Sequence, residues 1–380
     1  MDNDWNSCMT VITYIIIIFL LLYMTASLLT LHGMQKKSLT KNKHIPFVSI
    51  IVAARNEEQY IRNLLSSLKK INYPSEKIEY ILINDRSDDK TGYLMNQFKN
   101  QVKNSRIMTI KNLPSDRTGK INALIHGIQT ARGELLLFTD ADCEVPENWV
   151  HSFVKNFDSE TGMAGGFLVL DNKNKKTPLF HYLQSIDWIL LCSLAYGWIN
   201  LGKPLSVFGN NLAIKKSIYK ECNGFESINN HITEDYALMR NVLSRTRAKL
   251  DFILDPENTV YTNPANTIKS FFTQRKRWAV SNTKRGLLSI IFPLISILIR
   301  ILIIISLLSS SFVIGLTAFL LLTLMDVAIL ITPLKKLKRL YLLKYIFFFE
   351  MYFTLYQLFF TPIALFAKKI LWKSDNYTVN

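Results

Sequence analysis

The sequence has few cysteines, and none of them forms a recognisable pair. Only four occur in 380 residues, at Cys8, Cys143, Cys192 and Cys222. None of their spacings is typical of a zinc site or of a redox-active dithiol. We therefore expect these thiols to be small buried apolar groups without chemical function.

Acidic residues are also scarce: the chain has 29 Asp and Glu residues but 45 Lys and Arg residues, which gives a formal net charge of +16. In a soluble protein this excess would suggest nucleic-acid binding, but the chain has no recognisable nucleic-acid motif. Here the basic residues flank apolar runs, which favours an anionic membrane surface and nucleotide phosphates as partners. Internal repeats and low-complexity tracts are absent as well. The length therefore predicts a domain of roughly 230–260 residues accompanied by membrane segments.

The first apolar run, 11–31, carries no charged residue and is long enough to span a bilayer. It is too long for a typical signal peptide, has no basic segment before it and no convincing cleavage site after it. Asp2 and Asp4 precede it, and the residues that follow are basic: Lys36, Lys37, Lys41 and Lys43. The positive-inside rule then predicts that residues 1–10 are extracytoplasmic and that the next domain is cytosolic.

Three more apolar segments follow near the end of the chain, at 287–308, 312–332 and 345–366. The first contains Arg300, which costs roughly 2.5–3.5 kcal/mol near the centre of a bilayer, whereas each Leu, Ile or Phe returns roughly 0.3–0.6 kcal/mol. Insertion is favoured, although an interfacial helix is the alternative. Four crossings would put the C-terminus outside, yet Lys368, Lys369 and Lys373 lie there. Either the last segment is re-entrant or 287–308 does not cross.

Between these segments, short apolar strands alternate with helical periods. Strands are predicted at 47–54, 78–83, 106–110, 135–138, 163–169 and 207–214, and amphipathic helices at 119–131 and 181–198. This alternation predicts an α/β fold with a parallel, doubly wound sheet. Asp85 and Asp140 then fall at one edge of the sheet, where such folds bind nucleotides.

Carboxylates and a basic aromatic segment supply the candidate chemistry. Asp140 and Asp142 lie one residue apart after a buried strand, and such a pair suits a hard divalent cation that also binds phosphates. Asp235 follows Thr233-Glu234 and opens a helix. The segment 264–286 mixes aromatic and basic residues, as does a helix that lies on a membrane surface.

Asp85, Asp140-x-Asp142, Thr233-Glu234-Asp235 and Gln274-x-x-Arg277-Trp278 occur in this order. The ordered set resembles the membrane-integrated glycosyltransferases of family 2, which include cellulose, hyaluronan and poly-N-acetylglucosamine synthases. The resemblance implies a GT-A fold, Rossmann-like with a mostly parallel sheet, over residues 46–263, one transmembrane helix before it and about three after it. It also implies a bacterial cell membrane as the location. The chain departs from the family at Ala53, where Pro is frequent, and at Ile125, where Asn is common.

By this resemblance, a nucleotide sugar, expected to be UDP-linked, binds to Ala54, Glu57, Asp85, Lys120, Asp140 and Arg277. Mg²⁺ or Mn²⁺ would be held by Asp140 and Asp142. Asp235 would be the general base of an inverting transfer. The acceptor would contact Glu234, Gln274 and Trp278.

The acceptor is expected to be a glycan or a lipid associated with the bilayer. A processive synthase is favoured by the Gln-x-x-Arg-Trp motif, whereas the small number of spans and the lack of an obvious gating loop favour a single transfer to a lipid or carrier. An inactive membrane scaffold is the alternative from another class, but it would not need carboxylates at 85, 140, 142 and 235. A nucleotidyltransferase would not need the aromatic segment at 274–278.

Overall fold

The protein is described by a computed structural model that covers residues 2–35, 44–112, 119–171, 177–228, 233–280, 287–366, 369–372 and 375–378. The helices are α1 Asp2–Gln35, α2 Ile61–Leu68, α3 Thr91–Gln101, α4 Gly119–Thr130, α5 Trp149–Asn156, α6 Leu179–Asn200, α7 Lys216–Glu221, α8 Glu234–Arg245, α9 Ile268–Val280, α10 Leu287–Leu307, α11 Phe312–Lys336 and α12 Ile346–Phe366. The strands are β1 Val48–Ala54, β2 Ile78–Asp85, β3 Ser105–Ile110, β4 Leu135–Phe138, β5 Cys143–Glu144, β6 Thr161–Gly166, β7 Leu168–Leu170, β8 Leu212–Lys215, β9 Lys249–Ile253, β10 Val260–Thr262, β11 Lys369–Trp372 and β12 Asp375–Thr378.

A seven-stranded sheet in the order β3-β2-β1-β4-β8-β6-β9 forms the centre of the α/β part. β1, β2 and β4 are almost wholly buried apolar runs, which is typical of strands covered on both faces. β1 pairs in parallel with β2 and with β4, and β2 pairs in parallel with β3. The predicted α/β class and GT-A-like fold are confirmed.

The sheet is mixed beyond β4, because β8 runs antiparallel to both of its neighbours. Leu212, the first residue of β8, lies opposite Phe138, the last residue of β4. After α6 the chain therefore enters β8 at the edge where β1, β2 and β4 end. The strand that the sequence predicts at 207–214 begins only at Leu212, since the backbone N–H of Asn211 donates to the carbonyl of Phe208 in a turn.

A second sheet of three strands, in the order β5-β10-β7, lies next to the first. The single strand that the sequence predicts at 163–169 is interrupted at Phe167. β6 before this residue pairs within the large sheet, whereas β7 after it pairs with β10. β5 carries the chain directly away from Asp142, so the second sheet supports the loop that holds the two aspartates.

Helix α6 joins the α/β part to the apolar helices. It packs against α1 on one side and against β7 and β9 on the other. The two helices approach so closely at Gly33 and Gly197 that a Cβ on Gly33 would lie 2.0 Å from the Gly197 carbonyl oxygen. Trp198 donates from Nε1 to Thr30 Oγ1 at 3.0 Å. The sequence predicts an amphipathic helix here, but α6 is buried on almost every side because it has packing partners on both faces.

Four helices of the described residues are long and apolar enough to cross a membrane: Thr10–Gln35, Ile290–Leu307, Phe312–Lys336 and Leu340–Ile363. Arg300 of α10 is buried among them, and its Nη2 lies 3.1 Å from Asp326 of α11 and 3.1 Å from Glu350 of α12. Tyr23 of α1 donates a hydrogen bond to Asp326. Ionisable groups inside a membrane are normally paired in this way. Lys36, Lys37, Lys41, Lys43, Lys368 and Lys373, which bear on the predicted orientation, lie outside the described residues.

Candidate active site

One cavity of about 1200 Å³ opens at the edge where β1, β2 and β4 end. α6, α9 and the apolar helices complete its walls. All of the site residues predicted from the sequence line it: Ala54, Glu57, Asp85, Lys120, Asp140, Asp142, Glu234, Asp235, Gln274, Arg277 and Trp278. The parallel strands thus bring together residues that lie far apart in the chain.

The end of β2 is fixed by an ion pair. Asp85 is only 4% exposed, and Arg86 donates from Nε to its Oδ1 at 2.8 Å. Gly119, the first residue of α4, packs against this pair so closely that a Cβ there would lie 2.4 Å from Asp85 Oδ2. The chain therefore needs glycine before Lys120, because any larger residue would push α4 away from the sheet edge.

The loops after β1 and β2 are joined by hydrogen bonds from backbone N–H groups to side-chain oxygens. The N–H of Asn56 donates to Ser87 Oγ at 3.1 Å, and the N–H of Asp88 donates to Asn56 Oδ1 at 2.9 Å. The N–H of Glu57 donates to Thr91 Oγ1 at 2.8 Å. These bonds place the Glu57 side chain on the cavity wall next to the aspartates.

Lys120 joins three elements of the site. Its Nζ lies 2.8 Å from Asp140 Oδ1 and 2.7 Å from Glu234 Oε1. Burial lowers the pKa of Lys120, but the two carboxylates raise it more, so the pKa lies above its ordinary value. The lysine remains a full cation at neutral pH, and it ties α4 and α8 to the loop after β4.

Asp142 lies in a strongly negative surrounding. Burial, and then the charges of Asp140 and Glu57, raise the pKa of Asp142 to about 6. Among the described residues, no three His, Cys, Asp or Glu side chains lie close enough to hold an ion by themselves. Two aspartates with oxygen donors fit Mg²⁺ or Mn²⁺, provided that phosphate or water oxygens complete the ligand set.

Asp235 is held by backbone amides. The N–H of Gly209, in the turn before β8, donates to Asp235 Oδ2 at 2.8 Å, and the N–H of Tyr236 donates to Oδ1 at 2.7 Å. Burial, and then the charge of Glu234, raise the pKa of Asp235 to about 6, although Lys120 and the two amides partly oppose the shift. A carboxylate with a pKa near neutrality is a better general base than one with an ordinary pKa.

Helix α9 contributes Gln274, Arg277 and Trp278 to the cavity wall. Trp278 meets Trp188 of α6 edge to face, with ring centroids 4.9 Å apart. One face of the Trp278 ring is covered by the guanidinium of Arg275, at 4.4 Å from the centroid. This leaves less of the ring available to an acceptor than the sequence suggests.

The sequence analysis did not find the pair formed by Arg275 and Asp187. Both side chains are 1% exposed, and Arg275 Nη2 lies 2.6 Å from Asp187 Oδ2. Tyr352 of α12 donates to the same oxygen at 3.3 Å. Burial raises the pKa of Asp187, with Arg275 opposing it. The only sequence signal for this pair was Asp187, the single acidic residue of the apolar helix α6, and the sequence did not indicate which basic residue would pair with it.

The comparisons with known proteins agree with this geometry. Residues 49–221 match the family described as Glycosyl transferase family 2. The probable glycosyltransferase YdaM of Bacillus subtilis is 28% identical over 247 residues, which cover 63% of this chain and 56% of that protein. The poly-beta-1,6-N-acetyl-D-glucosamine synthase of Staphylococcus epidermidis is 29% identical over 252 residues, 63% of this chain and 56% of its own length.

The beta-monoglucosyldiacylglycerol synthase of Trichormus variabilis is 26% identical over 244 residues, 64% of this chain and 50% of its own length. The alignments thus span about half the length of these relatives. Among solved structures, the mannosyltransferase PcManGT from Pyrobaculum calidifontis, in complex with GDP-Man and Mn²⁺, has a TM-score of 0.56 at 16% identity, covering 93% of this chain and 97% of that one. This similarity shows a common fold. Residues 49–221 are therefore similar to Glycosyl transferase family 2, on a GT-A-like fold, and the described residues combine this part with apolar helices that fit integration in a membrane.

Proposed function

We propose that the protein transfers a sugar, with inversion, from a nucleotide sugar to an acceptor associated with the membrane. The observation that carries this proposal is a single cavity in which an amide-held carboxylate, Asp235, with a pKa of about 6, faces the Lys120–Asp140–Asp142 group. The resemblance to the synthases implies a UDP-linked donor. Ala54, Glu57 and Asp85 line the part of the cavity where its nucleoside would bind.

The proposed reaction is a displacement at the anomeric carbon. Asp235 takes the proton of the acceptor hydroxyl, and the hydroxyl oxygen forms a bond to this carbon from the side opposite the diphosphate. The bond from the carbon to the diphosphate oxygen breaks, and UDP leaves with the electron pair. Lys120 and Arg277 oppose the negative charge that grows on the diphosphate. Glu234 orients Lys120 through its ion pair.

Asp140 and Asp142 would hold Mg²⁺ or Mn²⁺, which supplies Lewis-acid neutralisation of the diphosphate when bound. Removal of divalent ions with EDTA is expected to abolish transfer, and addition of Mn²⁺ or Mg²⁺ to restore it. Asp142→Asn is expected to weaken binding of the UDP-sugar more than tenfold, measured by calorimetry, as well as to slow transfer. Asp158→Asn is the control, because it removes the charge of an aspartate that does not line the cavity. Full activity in EDTA would contradict the metal assignment.

The pH dependence should follow the raised pKa of Asp235. We expect kcat/KM, measured at saturating Mn²⁺, to fall as the pH drops through about 6, because Asp235 must be ionised to accept the proton. The folded-state pKa of Asp235 exceeds that of an unfolded chain, so this group favours the folded state below about pH 4 and loses that contribution as the pH rises through about 6. Acidification to pH 5.5 should therefore lower activity without unfolding driven by this group, as checked by thermal unfolding at each pH. A rate that stays constant down to pH 5 would contradict the role of Asp235 as the base.

Use of a cytosolic donor requires the orientation predicted from the N-terminal charges. In a background that lacks Cys8, Asn100→Cys on the exposed surface of α3 should resist an impermeant thiol reagent in intact cells. The remaining cysteines of the described residues are buried. Ser310→Cys, exposed between α10 and α11, should react if α10 crosses the membrane. Rapid labelling of Asn100→Cys would reverse the orientation.

A further inference from the structure

The cavity continues beyond the catalytic carboxylates into the apolar helices. Its walls there include Leu194 of α6, Phe292 and Ile295 of α10, Ile329 of α11 and Phe353 of α12. We call this region the apolar arm. Three of the helices that line it are among those long and apolar enough to cross a membrane. The arm would therefore lie at the depth of the bilayer, and it is continuous with the part of the cavity that Asp235 lines.

The apolar arm contains one buried polar group that lacks a partner. Gln357 of α12 is 9% exposed and lines the cavity. Its Nε2 donates to Ser296 Oγ at 3.0 Å, and Arg300 donates to the same Oγ at 2.7 Å. Gln357 Oε1 has no hydrogen-bond partner among the described residues. A buried carbonyl oxygen in this state is unfavourable unless a ligand donates a hydrogen bond to it.

The charges near Gln357 restrict the ligand further. The guanidinium of Arg300 is paired with Asp326 and Glu350, so its charge is already compensated. It therefore does not select an anionic ligand, whereas a neutral hydroxyl or amide N–H could bind Gln357 Oε1.

A glycan chain would fit this environment poorly. It carries hydroxyls on every sugar, and each needs a partner when it leaves water. The hydroxyls of Tyr23 and Thr30 line the cavity, but each already donates a hydrogen bond within the protein. The walls of the arm hold Leu, Ile and Phe side chains from four helices, and the polar side chains among them include Ser27, Asp326, Tyr356 and Thr361. An acceptor with an apolar body and a few polar groups therefore suits the arm better than a polysaccharide, which carries hydroxyls on every sugar.

We propose that the apolar arm binds the acceptor as a neutral membrane lipid with two separate polar groups, one hydroxyl that receives the sugar at Asp235 and one hydrogen-bond donor that reaches Gln357. This proposal rests on the proposed function for the role of Asp235. It assigns Gln357 and Ser296 to acceptor binding. It also selects single transfer to a lipid over elongation of a polysaccharide.

The test uses the full chain in nanodiscs of phosphatidylethanolamine and phosphatidylglycerol that contain a diazirine diacylglycerol, a neutral lipid with one hydroxyl in its headgroup. We expect UV cross-linking to peptides of α10 and α12, and stronger competition by a diacylglycerol with a second hydroxyl on an acyl chain than by diacylglycerol with plain acyl chains. Ile295→Trp should fill the arm and reduce cross-linking at least tenfold. Leu294→Trp, on the exposed side of the same helix, is the matched control and should not change it.

Gln357→Leu removes the acceptor oxygen with little change in volume, and we expect the half-saturating concentration of the hydroxyacyl diacylglycerol to rise about tenfold. Undiminished cross-linking in Ile295→Trp, or competition by chitotetraose in place of lipids, would overturn the lipid assignment. Equal competition by the hydroxyacyl diacylglycerol and by plain diacylglycerol, or unchanged binding in Gln357→Leu, would overturn the role of Gln357. Calorimetric binding of UDP is measured separately on each variant. Failure of the unmodified protein to bind UDP would refute the proposed function, whereas the cross-linking results alone decide the lipid site.

Discussion

Asp235→Asn is expected to lower the turnover number by roughly 10²–10⁴-fold, the usual contribution of a general base. This range corresponds to about 2.7–5.4 kcal/mol of transition-state free energy. The amide cannot accept a proton at neutral pH. The affinity for the UDP-sugar should change by less than about 1.4 kcal/mol, or tenfold, because the base acts on the acceptor and not on the donor. Single-turnover kinetics and calorimetric donor binding measure the two quantities separately.

The geometry of Asp235 imposes one control on this experiment. Both of its oxygens accept a backbone N–H, from Gly209 and from Tyr236. Asn offers only one acceptor oxygen, so one of these amides would face an NH₂ group, at a cost of about 1–3 kcal/mol. Thermal unfolding must therefore show that the variant is folded at the assay temperature, and Asp158→Asn gives the effect of losing a comparable carboxylate elsewhere. Near-normal turnover, or loss of donor binding as severe as in Asp142→Asn, would move the base to another residue, and Glu234 would be tested next.

Arg275→Met is expected to destabilise the folded protein by about 3–5 kcal/mol, because it leaves Asp187 buried without its cation. The pair is 1% exposed on both sides and separated by 2.6 Å. The guanidinium also lies over the rings of Phe271, Trp278 and Tyr356 at 4.4–5.2 Å. Its loss should loosen α9 from α6 and α12. The apparent unfolding temperature in nanodiscs, at fixed scan rate, measures the effect.

The double variant Arg275→Met, Asp187→Leu should recover much of this loss, since an apolar pair can replace a buried ion pair at little net cost. Lys276→Met is the matched control: Lys276 is the exposed neighbour on the same helix, and its replacement should leave unfolding unchanged. If Arg275→Met unfolds at the same temperature as the wild-type protein, or if the double variant is the least stable of all, the ion pair does not hold α9 against α6 and α12.

The outcomes at α9 show where sequence reasoning reached its limit. Gln274, Arg277 and Trp278 were predicted to face the site, and they do line the cavity. The residue buried most deeply is Arg275, which the motif does not single out. All of these residues lie within less than two turns of one helix, so the sequence alone could not tell which basic side chain faces solvent and which faces α6. The same limit applied to Arg300, whose carboxylate partners lie on two other helices.

The sequence by itself was enough to predict the resemblance to family 2 glycosyltransferases, the α/β class and the shared edge for Asp85 and Asp140. Adjacent parallel strands end at the same edge of a sheet, so apolar runs followed by carboxylates are enough to predict that closeness. Tertiary structure decided the position of Asp235 and the ion pairs. Asp235 is held by the turn before β8, a strand that runs antiparallel to β4 and whose direction no local sequence pattern indicates. Contacts between elements remote in the chain depend on how helices rotate and pack, and periodicity along the sequence carries no information about this.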